Sequence, residues 1–435
     1  MNKSVLKLAI PSILANITIP LVGLVDTAIV GHISEAAAIG GVAVGTMLFD
    51  LLYWNFGFLR IGTSGMAAQA YGRGDSKEVA TILAQSLTLT ACATVLIWAI
   101  QWLFVTVALA CVPCSPEVEI FARKYFFIRI WAAPATLSLM ALKGWFIGVQ
   151  DTVSPMATDI VVNVINMAAS YALAVYTPLG AIGVAYGTLI AQFTGLAVAA
   201  VILVTKYRAY LAIFKSLNLE IFKSIRRLLV LNGNLFVRSL CFMVVYVGFT
   251  AIAGSYGNIE LAVSSIMMKL FMFFSFFVDG FAYAGEALVG KFIGAQADRQ
   301  TLNKVVRVLF GWSIGVGVLF TLIYAIFGEG CIRQITNLPE VVAAAHPFLP
   351  WLIAMPIVST LAFMWDGIYV GATAGKQIRD AMIWAAVGFV IAYVALYRPL
   401  GIQALYVAYF VHLFARVIYL SAYWPKTLSP LVKDL

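Results

Sequence analysis

The sequence predicts an all-α polytopic membrane protein with twelve transmembrane helices. Of its 435 residues, 63% are hydrophobic and only 11% are charged. Soluble domains have about 45–50% apolar and about 25% charged residues. Long apolar stretches recur from one end of the chain to the other, and they are too continuous for β-barrel strands, which alternate over about ten residues. A bundle of membrane-spanning helices is therefore the expected fold.

Twelve apolar segments are predicted to cross the membrane. They are roughly 6–32, 42–71, 80–110, 117–148, 153–176, 180–205, 226–254, 260–293, 301–327, 341–374, 377–398 and 401–425. Several exceed the ~20 residues needed to cross a bilayer, which indicates tilted helices or protruding ends. No short, charged and cleavable pattern precedes the first span, so we expect no removable signal peptide.

The distribution of basic residues predicts the topology. Of the 28 Lys and Arg residues, six lie deep within predicted spans, four lie in segments or span ends on one side, and the remaining eighteen lie in segments or span ends on the other. The four are Arg123, Lys124, Arg333 and Arg398. Because basic residues concentrate on the cytoplasmic side, both termini are predicted to be cytoplasmic. The net charge of +9 thus reflects topology, and we expect no nucleic-acid partner.

Cysteine and histidine give no sign of a metal centre or a cofactor. Cys111 and Cys114 form the pattern "CVPC" in a predicted outer loop, where a disulfide and two separate thiols both remain open. His32, His346 and His412 fall in different spans, and no His or Cys cluster has metal-ligand spacing. We therefore predict no metal site and no cofactor.

The two halves of the chain resemble each other at a nearly constant offset. Three matches carry this: 67–75 with 290–298, 179–193 with 400–414, and Gly31 with Gly254. Each match alone would be weak, because small residues are common in membrane helices. The members of each pair are separated by almost the same length of chain, and this shared offset indicates a duplicated six-span unit.

The duplication predicts two lobes and a linker. We expect an N-lobe at 1–205, a C-lobe at 228–435, and a basic cytoplasmic linker at 206–227 that forms an amphipathic segment on the membrane surface. Since six is even, the repeats run parallel and are related by a pseudo-two-fold axis along the membrane normal. This arrangement is typical of transporters that work by alternating access.

Asp26 lies in the middle of the apolar stretch "PLVGLVDTAIVGH" of span 1. A carboxylate at the centre of a spanning helix costs about 2.5–3.5 kcal/mol, and such groups usually face a bundle interior or a wet cavity and mark ion or substrate pathways. A buried ion pair that only fixes helix packing is the alternative. Pro11 and Pro20 lie in the same span, and because proline kinks helices we expect a hinge beside Asp26.

Span 5 carries a second polar feature. Asn163, Asn166 and Ser170 are separated by three and four residues, so they share one helix face. Their amide and hydroxyl groups can hydrogen-bond a carboxylate or bind a small cation. Polar contacts that only hold helices together are the alternative.

The second half has polar groups of its own. Asp279, Tyr283 and Glu286 form one stripe on span 8, and Asp366 lies on a polar face of span 10. They predict a polar site in the C-lobe, either a second binding site or a gate.

Several segments together resemble one known family. They are "LAIPSILANITIPLVGLVDTAIVGH", "GGVAVG", "FLRIGTSGMAAQAYG", "GWFIGVQDT", "DGFAYAGEALVGKFIGA" and "DGIYVGAT". This combination is similar to the MATE (multidrug and toxic compound extrusion) transporters, most of all to their DinF-like branch, and it runs from span 1 to span 12. The resemblance implies an inner-membrane antiporter of two six-helix lobes. Its members export organic, often cationic and lipophilic compounds against an inward proton or sodium gradient.

The resemblance also implies roles for individual residues. Asp26 occupies the place of the span 1 coupling aspartate, Asn166 that of the span 5 asparagine, Thr188 that of the span 6 threonine, and Tyr125 that of the span 4 tyrosine. The sequence departs from the family pattern at Ser170, where relatives often have a second aspartate. Fewer anionic ligands are then left for Na⁺.

The predicted function is proton-coupled efflux of organic compounds by alternating access. Burial favours the protonated form of a carboxyl group, so a proton and a cationic substrate would compete for Asp26. Na⁺-coupled efflux, a lipid-linked precursor flippase and a channel remain alternatives. A membrane enzyme would need a cluster of catalytic groups, and the sequence shows none. We expect small organic substrates and membrane lipid as partners, a monomer, and the bacterial inner (plasma) membrane as location.

Overall fold

The structure is a computed structural model that describes residues 1–33, 36–110, 112, 114–216 and 225–428. The described residues are almost entirely helical. The helices are α1 (Asn2–Ile33), α2 (Ala36–Trp54), α3 (Phe58–Gly72), α4 (Ser76–Ala110), α5 (Pro116–Arg129), α6 (Ala133–Gly148), α7 (Val153–Tyr176), α8 (Ile182–Lys206), α9 (Arg208–Ser216), α10 (Ile225–Tyr256), α11 (Asn258–Gly294), α12 (Arg299–Ile335), α13 (Pro339–Ala345), α14 (Leu349–Gly371), α15 (Gly375–Leu400) and α16 (Gln403–Leu428).

Twelve helical segments within the described residues are long and apolar enough to cross a membrane. Three of them join two helices each: α2 with α3, α5 with α6, and α13 with α14. The remaining nine are single helices, and their bounds lie close to those predicted from hydropathy. The expected helical membrane protein with twelve spans is therefore confirmed.

Spans 4 and 10 are interrupted in the same way. A 3₁₀ turn at Ile130–Ala132 separates α5 from α6, and another at His346–Phe348 separates α13 from α14. In each case the following helix has a proline in its first turn, where its missing N–H leaves no intrahelical hydrogen bond unmade. The prolines thus allow a helix to restart after the break.

The described residues form two compact units. The first comprises Leu14–Tyr71 and Asp75–Leu228, and the second comprises Met1–Ile13, Gly72–Gly74 and the described residues from Leu229 onward. In the first unit the main packing partners are α7 with α8, α2 with α5, and α4 with α6. In the second they are α15 with α16, α11 with α14, and α12 with α14. Each pairing in one unit corresponds to the same pair of spans in the other.

The duplication is also present in the backbone. Outside the helices, six of the seven described residues with positive φ, all except Gly257, occur in pairs at the offset of the sequence repeat. The pairs are Gly74 (72°) with Gln296 (52°), Gln150 (66°) with Thr373 (55°), and Gly180 (54°) with Gly401 (54°). Because left-handed turns are uncommon for residues other than glycine, this repetition supports the predicted duplication independently of side chains. Residues at this offset in the two halves are called equivalent below.

Two equivalent glycines set the distance between helices. A Cβ atom on Gly144 of α6 would lie 2.2 Å from the carbonyl oxygen of Arg60 on α3. A Cβ atom on Gly367 of α14 would lie 2.4 Å from the carbonyl oxygen of Ala282 on α11. Backbone therefore touches backbone at both places, as small residues allow in membrane helices.

A hydrogen-bonded cluster around Asp151 closes one end of the first unit. Asp151 lies in the α6–α7 turn, and its Oδ2 accepts hydrogen bonds from Lys206 Nζ and Tyr207 Oη, both at 2.6 Å. Its Oδ1 accepts the backbone N–H of Ser154 at 3.1 Å, and the Ser154 hydroxyl donates to Oδ2. The cluster ties the start of α7 to the end of α8.

The predicted linker 206–227 begins at this cluster. Its first part forms α9, which packs against α4 and α8. Residues 217–224 lie outside the described part of the chain. At the start of α10, Arg227 donates to Gln69 Oε1 at 3.2 Å and lies 3.8 Å from Glu78, so this turn packs on α3 and α4.

Adding a methyl group at either close-packed glycine is expected to destabilise the fold. Gly144→Ala and Gly367→Ala each place a Cβ against a carbonyl oxygen that cannot move alone, and overpacking of this kind costs about 1–3 kcal/mol. Thermal unfolding in detergent should show a lower midpoint for both variants. Gly311→Ala is the matched control, because nothing lies within 4 Å of its added Cβ. A control shifted as far as the two variants would contradict the argument.

The Asp151 cluster predicts a contribution to stability that acid removes. Burial alone would raise the pKa of Asp151, but hydrogen bonds from Lys206, Ser154 and Tyr207 outweigh it and lower the pKa. The carboxylate therefore stabilises the fold fully above its ordinary pKa of about 3.9, and this contribution is lost as the pH falls through the lower folded value. The midpoint of wild type should exceed that of Asp151→Asn at pH 7, and the difference should shrink below about pH 4. A constant difference would show that the hydrogen bonds do not depend on charge.

Candidate functional site

Asp26 lies in the second half of α1 and is half-buried. Its Oδ1 is fully buried and has no hydrogen-bond partner among the described residues. The hydroxyl of Ser170 on α7 lies near the carboxylate, and the guanidinium of Arg129 on α5 attracts it. A buried carboxylate oxygen without a donor is costly. It is the position at which a proton or a bound cation would be stabilising.

The predicted polar face of α7 contacts Asp26 and α8. Asn166 Nδ2 donates to Thr188 Oγ1 at 3.0 Å, and Ser170 Oγ lies 3.5 Å from Asn166 Oδ1. All three side chains are buried. A hydroxyl has one proton, so Ser170 donates either to Asp26 or to Asn166 at any moment. The structure thus joins four of the predicted residues into one continuous network.

Asn163 faces a different part of α1. Its Nδ2 donates to Thr18 Oγ1 at 2.5 Å, and the Thr18 hydroxyl donates to the carbonyl of Ala15 at 2.7 Å. The same side of α7 therefore contacts α1 at two levels, through Asn163 and through Ser170.

Arg129 joins a second set of groups to the network. Its guanidinium donates to the hydroxyl of Tyr125 at 3.3 Å, and its Cζ lies 4.7 Å from the centre of the Phe49 ring, a cation–π distance. It also attracts the carboxylate of Asp50 on α2. The predicted residue Tyr125, which is fully buried, therefore reaches Asp26 through Arg129.

The charges around Arg129 do not balance. Asp26 and Asp50 share this one guanidinium, so the group has one surplus negative charge when both carboxylates are ionised. One proton or one monovalent cation brings it to neutrality. The sequence analysis did not select Arg129 or Asp50. The available signal was the position of Arg129 at the end of α5, immediately before the break in span 4.

The acid predicted in span 10 belongs to a buried ion triad in the second unit. Asp366 Oδ2 accepts hydrogen bonds from Arg238 on α10 at 2.6 Å and from Arg416 on α16 at 2.5 Å. The Arg416 side chain is only 2% exposed. One turn before Arg416, His412 is buried with both ring nitrogens lacking a hydrogen-bond partner among the described residues. Asp366 is therefore already neutralised by two arginines.

The other predicted C-lobe residues lie on α11. Asp279 and Tyr283 are half-buried, and Glu286 is buried. A Cβ atom on Gly371 of α14 would lie 2.8 Å from the Glu286 carbonyl oxygen, so this stretch of α11 packs closely on α14. Their proposed role as a second site or gate stays a prediction.

The Asp26 network is not repeated in the described part of the second unit. Phe249 is the residue equivalent to Asp26, and Tyr409 is the residue equivalent to Thr188. Their rings contact each other edge to face with centroids 5.6 Å apart. Ala392, the equivalent of Ser170, is apolar as well. The duplicated scaffold therefore holds a carboxylate site in one unit and a packed aromatic core in the other.

Two predictions, the hinge in α1 and the state of Cys111 and Cys114, stay predictions. α1 is a single helix from Asn2 to Ile33 and includes both Pro11 and Pro20, so the hinge stays a prediction. Cys111 lies outside the described residues, so a disulfide with Cys114 and two separate thiols both stay open. Among the described residues, no group of three or more His, Cys, Asp or Glu side chains could hold a metal ion.

Twelve spans, a duplicated six-span unit and a buried carboxylate network in one unit define an integral-membrane transporter. The MatE family model matches the chain twice, at residues 11–172 and 235–397. The chain therefore belongs to the MatE family, the MATE transporters. The two matches begin at nearly equivalent positions of the two halves, which agrees with the duplication seen in the backbone.

Relatives and solved structures agree with this assignment. The chain is 34% identical to "DNA damage-inducible protein F" of Escherichia coli (strain K12), over 98% of this chain and 92% of that protein. It is 23% identical to human "Multidrug and toxin extrusion protein 1", over 93% of this chain and 69% of that protein. The fold matches a structure described as the outward-facing conformation of a multidrug resistance MATE family transporter of the MOP superfamily. The TM-score is 0.86 with 18% identity, and the match covers 99% of this chain and 96% of that chain.

Removing the charge of Asp366 is expected to destabilise the second unit strongly. Asp366→Asn leaves two arginines without their shared counter-ion, and breaking a buried ion pair costs about 3–5 kcal/mol. Thermal unfolding in detergent should show a large loss. The control is Arg333→Gln, which removes an exposed pair with Glu329 and should change the midpoint little. Equal midpoints for Asp366→Asn and wild type would show that the triad does not hold the unit together.

Proposed function

We propose that this protein exports organic, mainly cationic or lipophilic compounds in exchange for protons, with Asp26 as the coupling carboxylate. The observation that carries the proposal is the buried Oδ1 of Asp26, which has no hydrogen-bond donor among the described residues. Such an oxygen is stabilised by a proton or by a cationic ligand, and one group cannot hold both. Competition for a single carboxylate is sufficient for antiport.

The surplus negative charge beside Arg129 explains why proton binding releases a cationic substrate. With Asp26 and Asp50 ionised, the group attracts a cationic substrate. When a proton binds Asp26, the group becomes neutral, the attraction is lost, and the substrate is released. Alternating access then requires protonation from the outer solution and deprotonation toward the cytoplasm, which an inward proton gradient drives.

Ser170, Asn166 and Thr188 act as positioning residues in this scheme. The Ser170 hydroxyl stabilises the ionised carboxylate by donating to it, and Asn166 Oδ1 is its other acceptor. When Asp26 is protonated, Ser170 can turn to Asn166 without losing its hydrogen bond. Thr188 fixes the Asn166 amide from α8. The network can therefore serve both protonation states with small side-chain rotations.

Coupling to a proton is favoured over coupling to Na⁺ by the ligands available. Hard cations prefer several oxygen ligands with anionic character, and beside Asp26 the α7 face offers a serine hydroxyl and amide groups. The neighbouring Arg129 would also repel a metal ion. For a flippase of lipid-linked precursors, the arginines Arg238 and Arg416 would have to face the substrate, whereas both are bound to Asp366.

The same proposal includes the setting of the protein. The relative in Escherichia coli and the basic residues concentrated on one side of the predicted topology support the inner membrane of a bacterium, with both termini cytoplasmic. The human relative is described as a multidrug and toxin extrusion protein, which supports small organic substrates. A monomer in the lipid bilayer is sufficient for the mechanism.

Asp26→Asn is expected to abolish coupled efflux while leaving the protein folded, because the amide keeps the shape of the side chain and cannot exchange a proton. The measurement is efflux of ethidium, a lipophilic cation, from proteoliposomes with an imposed pH gradient. Asp380→Asn is the control; this aspartate pairs with neighbouring Arg379 in the second unit, and its variant should transport as wild type does.

Two results would contradict the proposal. Full pH-driven efflux by Asp26→Asn would remove Asp26 from coupling. Wild-type efflux driven by a Na⁺ gradient alone, and not by a pH gradient, would assign sodium as the coupling ion.

A further inference from the structure

The polar face of α7 is longer than the sequence pattern indicated. Asp159, Asn163, Asn166 and Ser170 follow one another at intervals of four, three and four residues, so they form one line along the helix. The line extends over eleven residues, or about 16 Å at the rise of an α-helix. This is about half of the ~30 Å hydrocarbon core of a bilayer.

Every side chain in this line has a polar partner on another helix. Asp159 forms an ion pair with Lys143 of α6, and Asn163 bonds Thr18 of α1. Asn166 bonds Thr188 of α8, and the Ser170 hydroxyl lies near the carboxylate of Asp26 on α1. The line therefore places polar side chains at four successive levels between Asp26 and an ion pair near the start of α7.

The side chains at the Asp159 end of the line are more exposed than those near Asp26. Asp159 stands six residues after Val153, where α7 begins, which is about 9 Å along the helix. The Asp159 side chain is 19% exposed and the Lys143 side chain 29% exposed, whereas Asn166 and Ser170 are buried. Of the four side chains in the line, Asp159 alone can take up and release a proton.

The residue equivalent to Lys143 is Asp366, which has the opposite charge and pairs with Arg238 and Arg416 instead. Two ionisable groups in adjacent spans are expensive in a membrane. Their presence in the unit that carries Asp26 indicates a role connected with that carboxylate.

We propose that Asp159 is the relay carboxylate through which Asp26 releases its proton at the α6–α7 end of the first unit, a role that rests on the proposed proton-coupled function. An amide cannot be protonated under these conditions, so Asn163 and Asn166 act by holding water molecules that carry the proton. One proton leaves the Asp26 carboxyl group and reaches the Asp159 carboxylate. Asp159 then gives it to the solution, and both carboxylates return to the ionised state. Lys143 compensates the charge of ionised Asp159.

The test compares proton movement with ligand binding. In proteoliposomes that contain a trapped pH-sensitive dye, ethidium added to wild type should cause proton flux. Asp159→Asn should reduce this flux on the order of 100-fold, the scale of a lost proton-transfer group. Binding of ethidium to the detergent-solubilised variant should stay as in wild type, because Asp26 is intact. Asp26→Asn should lose both.

A double variant separates a relay from a structural ion pair. Asp159→Asn alone leaves Lys143 unpaired, which can weaken the fold; Lys143→Met with Asp159→Asn removes both charges and should restore the unfolding midpoint but not the flux. Asp380→Asn is the matched control, with the same charge change at an ion pair with Arg379 in the second unit, and its flux should equal that of wild type.

The outcomes separate the relay from the function on which it rests. Wild-type flux in Asp159→Asn, or flux restored in the double variant, would show that the pair is structural and would overturn the relay alone. If wild type itself shows no ethidium-stimulated proton flux, the proton-coupled function fails, and the relay fails with it.

Discussion

The Asp26 carboxylate must be kept in a membrane helix with only part of its hydrogen-bonding capacity filled, and the rest of the first unit is organised around this constraint. Ser170 supplies one donor and Arg129 supplies an opposite charge at a distance, while Oδ1 has no donor among the described residues. Full satisfaction would fix the charge state permanently. Partial satisfaction leaves a position at which a proton or a cationic ligand can bind, which is what the proposed exchange requires.

α7 makes the contacts that hold the polar residues in place beside Asp26. One of its faces is polar over eleven residues, and its members contact α6, α1 and α8 in turn. A helix held at several points along its length has little freedom to rotate, so Ser170 stays beside Asp26. The Asp151 cluster then fixes the first turn of α7 to the end of α8. The same helix therefore carries both the polar line and the contacts that keep it in register.

The sequence was sufficient for the features that depend on local pattern. Span number and bounds follow from apolar length, and the shared face of Asn163, Asn166 and Ser170 follows from their spacing. Contacts between distant segments could not be read in this way. Nothing in the spacing indicates that Arg129 serves both Asp26 and Asp50, or that Asp366 binds arginines 128 and 50 residues away. The breaks in spans 4 and 10 had a local signal in their prolines, but hydropathy alone runs through them.

The aromatic packing of Phe249 and Tyr409, at the positions equivalent to Asp26 and Thr188, has a consequence for bioenergetics. In the proposed exchange, with Asp26 as the coupling carboxylate and no counterpart of it in the second unit's aromatic core, one proton enters for each monovalent cation that leaves, and no net charge crosses the membrane in a cycle. Such an exchange responds to the pH difference and not to the electrical potential. A transporter of this kind keeps working in cells whose membrane voltage has collapsed, and stops when the two solutions reach the same pH.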